Sequence, residues 1–309
     1  MTILLWVLVF CISLAMLVKA SGLFVDAAEK VGLALGMSPF IIGVVVVGVG
    51  TSLPELVSSL VAVTSGGSEI VVGNVLGSNI TNIFLILGLA GLLGGEFRVA
   101  YDLMKVDLPV FLIAAFLVAF MVADGYFSRG EALICLAGLC VYLLNALLGQ
   151  PAPIAMQVKP RAGGRACAKL LISPVFIFLG AKYTVDAVIK LSAMLNIGAD
   201  VIALSAVSLG TSLPEVLVTI MVARMGKPEM AIGNVMGSNI FNCFAVMGIP
   251  GLIVPFKVPE SITAFSMPLS IAASLVCVLI TMDQKINRWE GSLLLVCYFF
   301  FLGKIFGII

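Results

Sequence analysis

Histidine is absent from this 309-residue sequence, and charged residues make up only 11% of it, against roughly 25% in soluble domains. Without histidine, imidazole acid–base catalysis, Ser-His-Asp triads and most zinc sites are excluded. The 17 basic and 16 acidic residues nearly cancel and form no long basic run, so the footprint of a nucleic-acid-binding protein is missing. The seven cysteines are scattered and never spaced as CxxC, which is typical of buried packing residues.

Apolar residues are correspondingly abundant: 61% of the chain is hydrophobic and the mean hydropathy is +1.23. So few polar side chains could not cover a water-soluble globule of this size, whereas hydrocarbon accepts this composition. Runs of about 20 apolar residues, long enough to cross a bilayer, recur along the sequence. We therefore predict an all-α polytopic membrane protein with ten transmembrane helices, over residues 2–24, 37–64, 69–94, 107–123, 130–149, 168–194, 199–223, 228–255, 262–281 and 289–308.

The distribution of Lys and Arg predicts the orientation in the membrane, because positively charged loops stay in the cytoplasm. Alternate loops hold most of these residues, including the longest connection, residues 150–167, which is rich in Pro, Gly and basic side chains. We expect that segment to be a cytoplasmic linker between two halves, residues 1–149 and 168–309. Both termini are then extracellular, and the chain is a multi-pass protein of the cell membrane.

One segment of the sequence recurs at an offset of 160 residues without a gap. GTSLPE at 50–55 returns at 210–215, GNVLGSNITN at 73–82 returns as GNVMGSNIFN at 233–242, and 17 of 37 residues are identical between 48–84 and 208–244. Each half holds five predicted spans, an odd number, so the second copy enters the membrane in the opposite orientation. Inverted repeats, with discontinuous helices around a site near the midplane, are typical of transporters.

Glu55 and Glu215 are the only carboxylates that the sequence places deep inside apolar spans. A charge in the membrane is costly, so an intramembrane glutamate faces a partner or a water-filled cavity by default. A pseudo-two-fold axis would bring the two together at one point. Two alternatives are that each is a neutral acid bonded to a neighbouring helix, and that the duplicated glycines only pack helices closely. The second alternative leaves the duplicated acid unexplained.

Further oxygen ligands accompany each glutamate. Pro54 and Pro214 lack the N–H that would bond the carbonyl four residues earlier, so each is expected to loosen its helix and free carbonyls. Hydroxyl and amide oxygens lie at helical spacing around them, at Thr51, Ser52, Ser78 and Asn82 and again at Thr211, Ser212, Ser238 and Asn242. Oxygen-only ligands suit hard cations, and Ca²⁺, which takes six to eight at flexible geometry, fits better than Mg²⁺.

The charges of the two glutamates favour ion exchange over passive ion leakage. With both glutamates ionised and nothing bound, a change of access would carry two buried negative charges, which is unfavourable at low dielectric. One Ca²⁺ neutralises the pair, and so do two Na⁺ or two protons, so that either loaded form can switch access. A third Na⁺ on the hydroxyl and amide oxygens would make the exchange electrogenic.

The paired GTSLPE and GNVxGSNIxN segments resemble the alpha-1 and alpha-2 repeats of the Ca²⁺/cation antiporter superfamily, in particular its compact prokaryotic Na⁺/Ca²⁺ exchangers. The resemblance implies alternating access, with the first and sixth spans sliding against an eight-helix core. By motif position it implies Ca²⁺ ligands at Glu55 and Glu215 and at the carbonyls of Thr51 and Thr211. It implies Na⁺ ligands at the same two glutamates and at Ser52, Ser78, Ser212, Ser238, Asn82 and Asn242, with carbonyls at Gly48 and Ser208.

Departures from the superfamily pattern narrow the function further. Some family members carry Asp at the positions of Asn82 and Asn242, and an acid in the second repeat is associated with the K⁺-dependent branch. Both residues are amides in this chain, so we expect K⁺-independent exchange. Proton-coupled relatives carry histidine in a different repeat motif, and the large Ca²⁺-sensing loop of animal exchangers has no counterpart. We expect a monomeric carrier with no cofactor, no catalytic residue and no obligatory protein partner.

Two other functions remain open on the sequence. An H⁺/Ca²⁺ antiporter could use the same scaffold, since glutamates alone can carry protons. A Ca²⁺-selective channel would need a continuous pore and usually a ring of acids from several subunits, whereas this chain supplies an internal pair. A membrane enzyme is less consistent with the sequence, which lacks HExxH and an evident buried pair of aspartates.

Overall fold

The structure, a computed structural model, describes residues 3–64, 70–94, 97–98, 103, 106–148, 163–194 and 199–309. For residues 94, 97–98, 192–193 and 199–211 it describes the backbone alone. The helical segments in this part of the chain are α1 (Ile3–Ala34), α2 (Pro39–Thr64), α3 (Ile70–Leu93), α4 (Asp107–Met121), α5 (Arg129–Leu148), α6 (Gly164–Met194), α7 (Ala199–Arg224), α8 (Pro228–Ile253), α9 (Ile262–Thr281) and α10 (Arg288–Ile305).

Seven of these segments are long and apolar enough to cross a membrane, namely α1, α2, α3, α5, α6, α8 and α9. The chain is therefore a multi-pass membrane protein. The fourth predicted span corresponds to a shorter apolar helix of 15 residues, and α7 and α10 occupy the predicted seventh and tenth positions. α1 runs to Ala34, ten residues past the predicted end at residue 24, because the Ala-rich stretch after it continues to favour helix.

Short π-helical stretches interrupt several of the helices. They cover Ile42–Gly48 in α2, Asn82–Leu87 in α3, Asn242–Val246 in α8 and Ile262–Ser266 in α9. The backbone of α2 also breaks at Ser52, whose ψ of 3° is not helical. α7 instead runs as a continuous α-helix through Pro214. The predicted interruption is thus present in α2 and absent from the described backbone of α7.

Two short antiparallel ribbons join the halves of the chain. β1 (Phe97–Arg98) pairs with β4 (Lys285–Ile286), and β2 (Tyr126–Phe127) pairs with β3 (Phe256–Lys257). Adding 160 to the number of Phe97 gives Lys257, and subtracting it from Ile286 gives Tyr126. The pair Phe97 with Ile286 therefore maps onto the pair Lys257 with Tyr126, which is also observed.

Helices α2 and α8 approach each other closely through glycines. A Cβ on Gly237 would lie 2.6 Å from the Cα of Val44, and a Cβ on Gly43 would lie 2.5 Å from the carbonyl oxygen of Met230. Both distances are too short for any side chain, and the obstructing atoms are backbone. Glycine is therefore required for the two helices to meet at this distance.

Buried apolar residues form two separate clusters. The larger one is built by α2–α5 and α7–α10, and the smaller one lies where α1 and α6 pack on each other and on parts of α2, α7 and α8. α1 and α6 contact along their length, with Thr184 donating a hydrogen bond to Ser13 at 2.9 Å. The division of the apolar packing thus sets α1 and α6 apart from the other helices.

Candidate cation-binding site

Glu55 and Glu215 are both buried, with 1% and 2% of their surfaces exposed. Their carboxylates are near enough to interact electrostatically, although 160 residues separate them in the chain. Ser52, at the break in α2, donates a hydrogen bond to Oε1 of Glu215 at 3.2 Å. Both oxygens of Glu55 and Oε2 of Glu215 have no hydrogen-bond partner among the described residues. Two carboxylates buried side by side with so few donors require protons or a bound cation.

Hydroxyl groups from both halves meet beside this pair. The hydroxyl of Thr51 lies 3.4 Å from that of Ser238 and 3.3 Å from Oδ1 of Asn234. Gly48 O accepts from the Ser52 N–H at 3.1 Å and lies 3.3 Å from the hydroxyls of both Thr51 and Ser238. The carbonyl predicted as an Na⁺ ligand is therefore already hydrogen-bonded, and the hydroxyls must turn if a cation is to bind it.

The counterpart hydroxyls of the other half make a different contact. Ser212 of α7 donates to Ser78 of α3 at 3.2 Å, and both side chains are buried. Under the 160-residue offset, the Ser52 contact to Glu215 corresponds to Ser212 and Glu55. That second hydrogen bond is absent among the described residues, so the two glutamates differ in their partners.

Four asparagines form a reciprocal network, which we call the amide cluster: Asn79, Asn82, Asn239 and Asn242. Asn79 and Asn239 each donate from Nδ2 to the other's backbone carbonyl, at 3.4 and 3.3 Å. Asn82 Nδ2 donates to Asn239 Oδ1 at 2.8 Å, and Asn242 Nδ2 donates to Asn79 Oδ1 at 3.1 Å. With their nitrogens held in this way, Asn82 and Asn242 keep Oδ1 atoms that have no donor in the described part of the chain.

Two supporting pairs were not predicted from the sequence. Asn234 donates to Thr219 at 2.7 Å, and Asn74 donates to Ser59 at 3.2 Å, the corresponding residue of the first copy. Asn74 also lies 3.5 Å from the carbonyl of Glu55. A search for polar residues matched at the 160-residue offset, rather than for identical ones, would have found Ser59 and Thr219.

Five buried side-chain oxygens at this site lack a hydrogen-bond partner among the described residues: Glu55 Oε1, Glu55 Oε2, Glu215 Oε2, Asn82 Oδ1 and Asn242 Oδ1. Every one of them is an acceptor, and together they come from both repeats. An unpaired acceptor is costly in a buried position, and a hard cation is the partner that satisfies several at once. Cys243 lies beside this site, where its sulfur accepts a hydrogen bond from Asn79 Nδ2 at 3.2 Å.

The structure buries seven of the predicted side-chain ligands and leaves two undescribed. Ser52 contacts Glu215, the hydroxyl of Thr51 lies beside that of Ser238, and Ser212 contacts Ser78. Asn82 and Asn242 are also buried, and their described hydrogen bonds lie within the amide cluster. The side chains of Thr211 and Ser208 lie outside the described residues, although their backbone belongs to α7.

Comparison with known proteins gives a consistent family. The sequence model of the family described as "Sodium/calcium exchanger protein" matches residues 5–148 and 166–306. The sodium/calcium exchanger MaX1 of Methanosarcina acetivorans is 36% identical over 97% of this chain and 98% of its own length. The putative antiporter CaxA of Alkalimonas amylolytica is 30% identical over 93% of this chain and 94% of its own length.

Solved structures give the same result at the level of the fold. The sodium-calcium exchanger NCX_Mj, soaked with 2.5 mM Na⁺ and 0.1 mM Sr²⁺, superimposes with a TM-score of 0.85 and 30% identity. The match covers 97% of this chain and 98% of that one. The same exchanger soaked without Na⁺ and Ca²⁺ superimposes with a TM-score of 0.86 and 29% identity.

Proposed function

Since the chain belongs to the sodium/calcium exchanger protein family, we propose that it is a secondary antiporter that exchanges Na⁺ for Ca²⁺ across the cell membrane. The observation that carries this function is the set of five buried acceptor oxygens, contributed by both repeats and without donors in the described part of the chain. Such a set is unfavourable when empty and becomes favourable with a hard cation bound. Na⁺ and Ca²⁺ are accordingly substrates.

We assign the central Ca²⁺ site to Glu55 and Glu215, with the carbonyls of Thr51 and Thr211. The electrostatic proximity of the two carboxylates supports this assignment, because one divalent ion neutralises the pair. The flanking Na⁺ sites would use the same glutamates together with Ser52, Ser78, Ser212, Ser238, Asn82, Asn242, Gly48 and Ser208. The reciprocal contacts of the amide cluster support equivalent roles for the two copies.

The proposed cycle is alternating access between two inverted five-helix repeats, each contributing five of ten membrane spans. The offset of 160 residues that relates the ribbons and the amide cluster supports this arrangement. α1 and α6 would slide against the remaining helices, and their separate apolar cluster supports that division. The carrier changes access readily only when bound ions neutralise the charge of its site. Uptake of one ion therefore requires release of the other.

Several finer features belong to the same proposal. A third Na⁺ per cycle makes the exchange electrogenic, and the amides Asn82 and Asn242 make it independent of K⁺. The chain acts as a monomer with both termini outside the cell. Protons are the competing coupling ion, since two of them neutralise the glutamates as well as two Na⁺ do.

Uptake of radioactive Ca²⁺ by reconstituted vesicles tests this function. Vesicles are loaded with Na⁺, with K⁺ or with acidic buffer, and the membrane potential is set in each case with an ionophore. We expect uptake only from Na⁺-loaded vesicles, and stimulation by a positive interior. Uptake that follows a proton gradient without Na⁺ would assign protons as the coupling ion, and uptake without any counter-ion would indicate a channel.

A further inference from the structure

A cavity of about 310 Å³ opens between the C-terminal part of α1 and the first turn of α6. Its lining includes Asp26 and Lys30 from α1, and Gly163, Arg165 and Lys169 from the start of α6. None of these residues belongs to the cation site described above. The cavity lies at the ends of two membrane helices that pack along each other, so it opens near the surface of the bilayer.

The cavity carries an excess of positive charge. Three cationic side chains and one carboxylate line it, which gives a formal charge of +2. Within the described part of the chain, Lys30, Arg165 and Lys169 make no ion pair or hydrogen bond. The nearest acid along α1, Glu29, is engaged elsewhere, because its carboxylate pairs with Lys227 at 2.5 Å. Among the described residues that line the cavity, three cations therefore face the single carboxylate of Asp26.

The surrounding sequence and backbone strengthen this preference for an anion. α6 is 31 residues long and begins at Gly164, so the unpaired N–H groups of its first turn add partial positive charge beside Arg165. The preceding residues, 150–162, contain no Asp or Glu. The linker that leads into α6 therefore brings no negative charge that could neutralise the cavity.

The outer surfaces of the same two helices identify the kind of anion. Leu23 of α1 is 43% exposed, and Leu171 and Ile172 of α6 are 77% and 53% exposed. Exposed apolar surface on the same helices that line a basic cavity suits a molecule that has a phosphate and acyl chains together. We propose that this cavity binds the headgroup of an anionic phospholipid, with Lys30, Arg165 and Lys169 around the phosphate. A soluble phosphate shares the charge but leaves the apolar surface unused.

The position of this lipid site gives it a consequence for transport. Because α1 and α6 supply opposite walls of the cavity, a bound headgroup connects the two helices. If they move as one unit, as the proposed function requires, the lipid stabilises that unit. Lipid binding itself does not depend on the proposed function and is measured without transport.

The test compares the association of spin-labelled phosphatidylglycerol and phosphatidylcholine with the full chain in phosphatidylcholine bilayers. One variant carries Lys30→Gln, Arg165→Gln and Lys169→Gln. A matched control removes three exposed cations elsewhere, by Arg224→Gln, Lys285→Gln and Arg288→Gln. At about fivefold for each of the three cations, the preference for phosphatidylglycerol should fall on the order of a hundredfold in the first variant, and it should fall less than twofold in the control.

Three results would overturn the lipid site. The first is equal loss of preference in both triple variants, which would indicate general electrostatic attraction. The second is an unchanged preference in the cavity variant. The third is displacement of phosphatidylglycerol by millimolar inorganic phosphate, together with binding of that phosphate in phosphatidylcholine alone, which would make the cavity a site for a soluble anion. Unchanged Ca²⁺ binding by each variant shows that its fold is intact.

Discussion

The two copies of the repeated motif carry the same polar residues on different backbones. α2 contains a π-helical stretch and a break at Ser52, whereas α7 is helical throughout. The residues before the motif account for this difference. Gly43, the valines of 44–47 and Gly48 favour helix weakly, while the second copy has Ala203, Leu204 and Ala206 in that region. The motif thus determines the ligands, and the preceding residues determine the path of the helix.

The hydrogen bonds of the two glutamates differ in the same way. Glu215 accepts a bond from Ser52, but Ser212 donates to Ser78, and Glu55 has no donor among the residues whose side chains are described. A symmetric sequence therefore gives an asymmetric site. This is the behaviour expected of a carrier whose repeats exchange roles between its outward- and inward-facing states.

Neutralising either glutamate should have the largest effect. We expect Glu55→Gln and Glu215→Gln each to reduce Na⁺-driven Ca²⁺ uptake by at least a hundredfold, because one remaining carboxylate cannot neutralise a divalent ion. Vesicle uptake at saturating Ca²⁺ measures this loss. Glu260→Gln, which removes an exposed carboxylate, serves as the control and should keep full activity. Full Ca²⁺ flux in either site variant contradicts the two-glutamate site.

The close packing of α2 on α8 predicts the next largest effect, which is on stability. Gly237→Ala places a methyl group 2.6 Å from the backbone of Val44, and we expect it to lower the free energy of unfolding by about 1–3 kcal/mol. Its counterpart, Gly77→Ala, meets no described atom within 4 Å and should leave the free energy of unfolding unchanged or raise it by up to about 1 kcal/mol, because Ala favours helix more than Gly does. Thermal unfolding in detergent compares the two. Equal destabilisation would show that the two copies are packed alike.

The amide cluster predicts an effect that is equal in the two repeats. Asn79→Leu and Asn239→Leu each remove the acceptor that holds Asn242 or Asn82, so both should raise the half-saturating Na⁺ concentration about tenfold. Initial rates of Ca²⁺ uptake over a range of Na⁺ loads give this value. Asn145→Leu, in α5 and without a described contact to the site, separates this effect from general loss of polarity. A change of the half-saturating Na⁺ concentration in only one of the two cluster variants would contradict equivalent roles for the two copies.

Substitution of Ser52 or Ser212 should have the smallest effect, and it tests the difference in hydrogen bonding between the two glutamates. Ser52→Ala removes the one described hydrogen bond to Glu215 and should weaken Ca²⁺ binding about fivefold to tenfold, since that bond is to a charged group. Ser212→Ala removes a bond between two neutral hydroxyls and should weaken it by about threefold or less. Equilibrium binding of Ca²⁺ to the purified variants decides between them. The reverse order would assign the observed asymmetry to the opposite state of the carrier.

Much of the site could be predicted from the sequence because the duplication marked it. Glu55 and Glu215 stand out as acids in apolar spans, and the motif offset pairs them without any structure. The sequence could not predict which hydroxyl bonds which carboxylate, because Ser52 and Ser212 occupy identical motif positions. Their different contacts arise from the tertiary path of α2 and α7.

The helix positions were predicted better than their interiors. Hydropathy located the seven segments that are long and apolar enough to cross a membrane, but the end of α1 was placed ten residues early, because its last turns are helical and polar. The prediction of an interruption at Pro214 was wrong, because a proline removes one hydrogen bond without necessarily ending a helix. The π-helical stretches were not predicted, because hydrophobic periodicity does not distinguish one π-helical turn from an α-helical one.

Equilibrium binding of radioactive Ca²⁺ to the purified chain, with Na⁺ as competitor, tests the central claim most directly. One site built from both repeats predicts a single Ca²⁺ per chain, cooperative displacement by Na⁺, and loss of binding in both Glu55→Gln and Glu215→Gln. Two Ca²⁺ per chain, or a variant of one glutamate that still binds Ca²⁺ with wild-type affinity, would contradict a shared site.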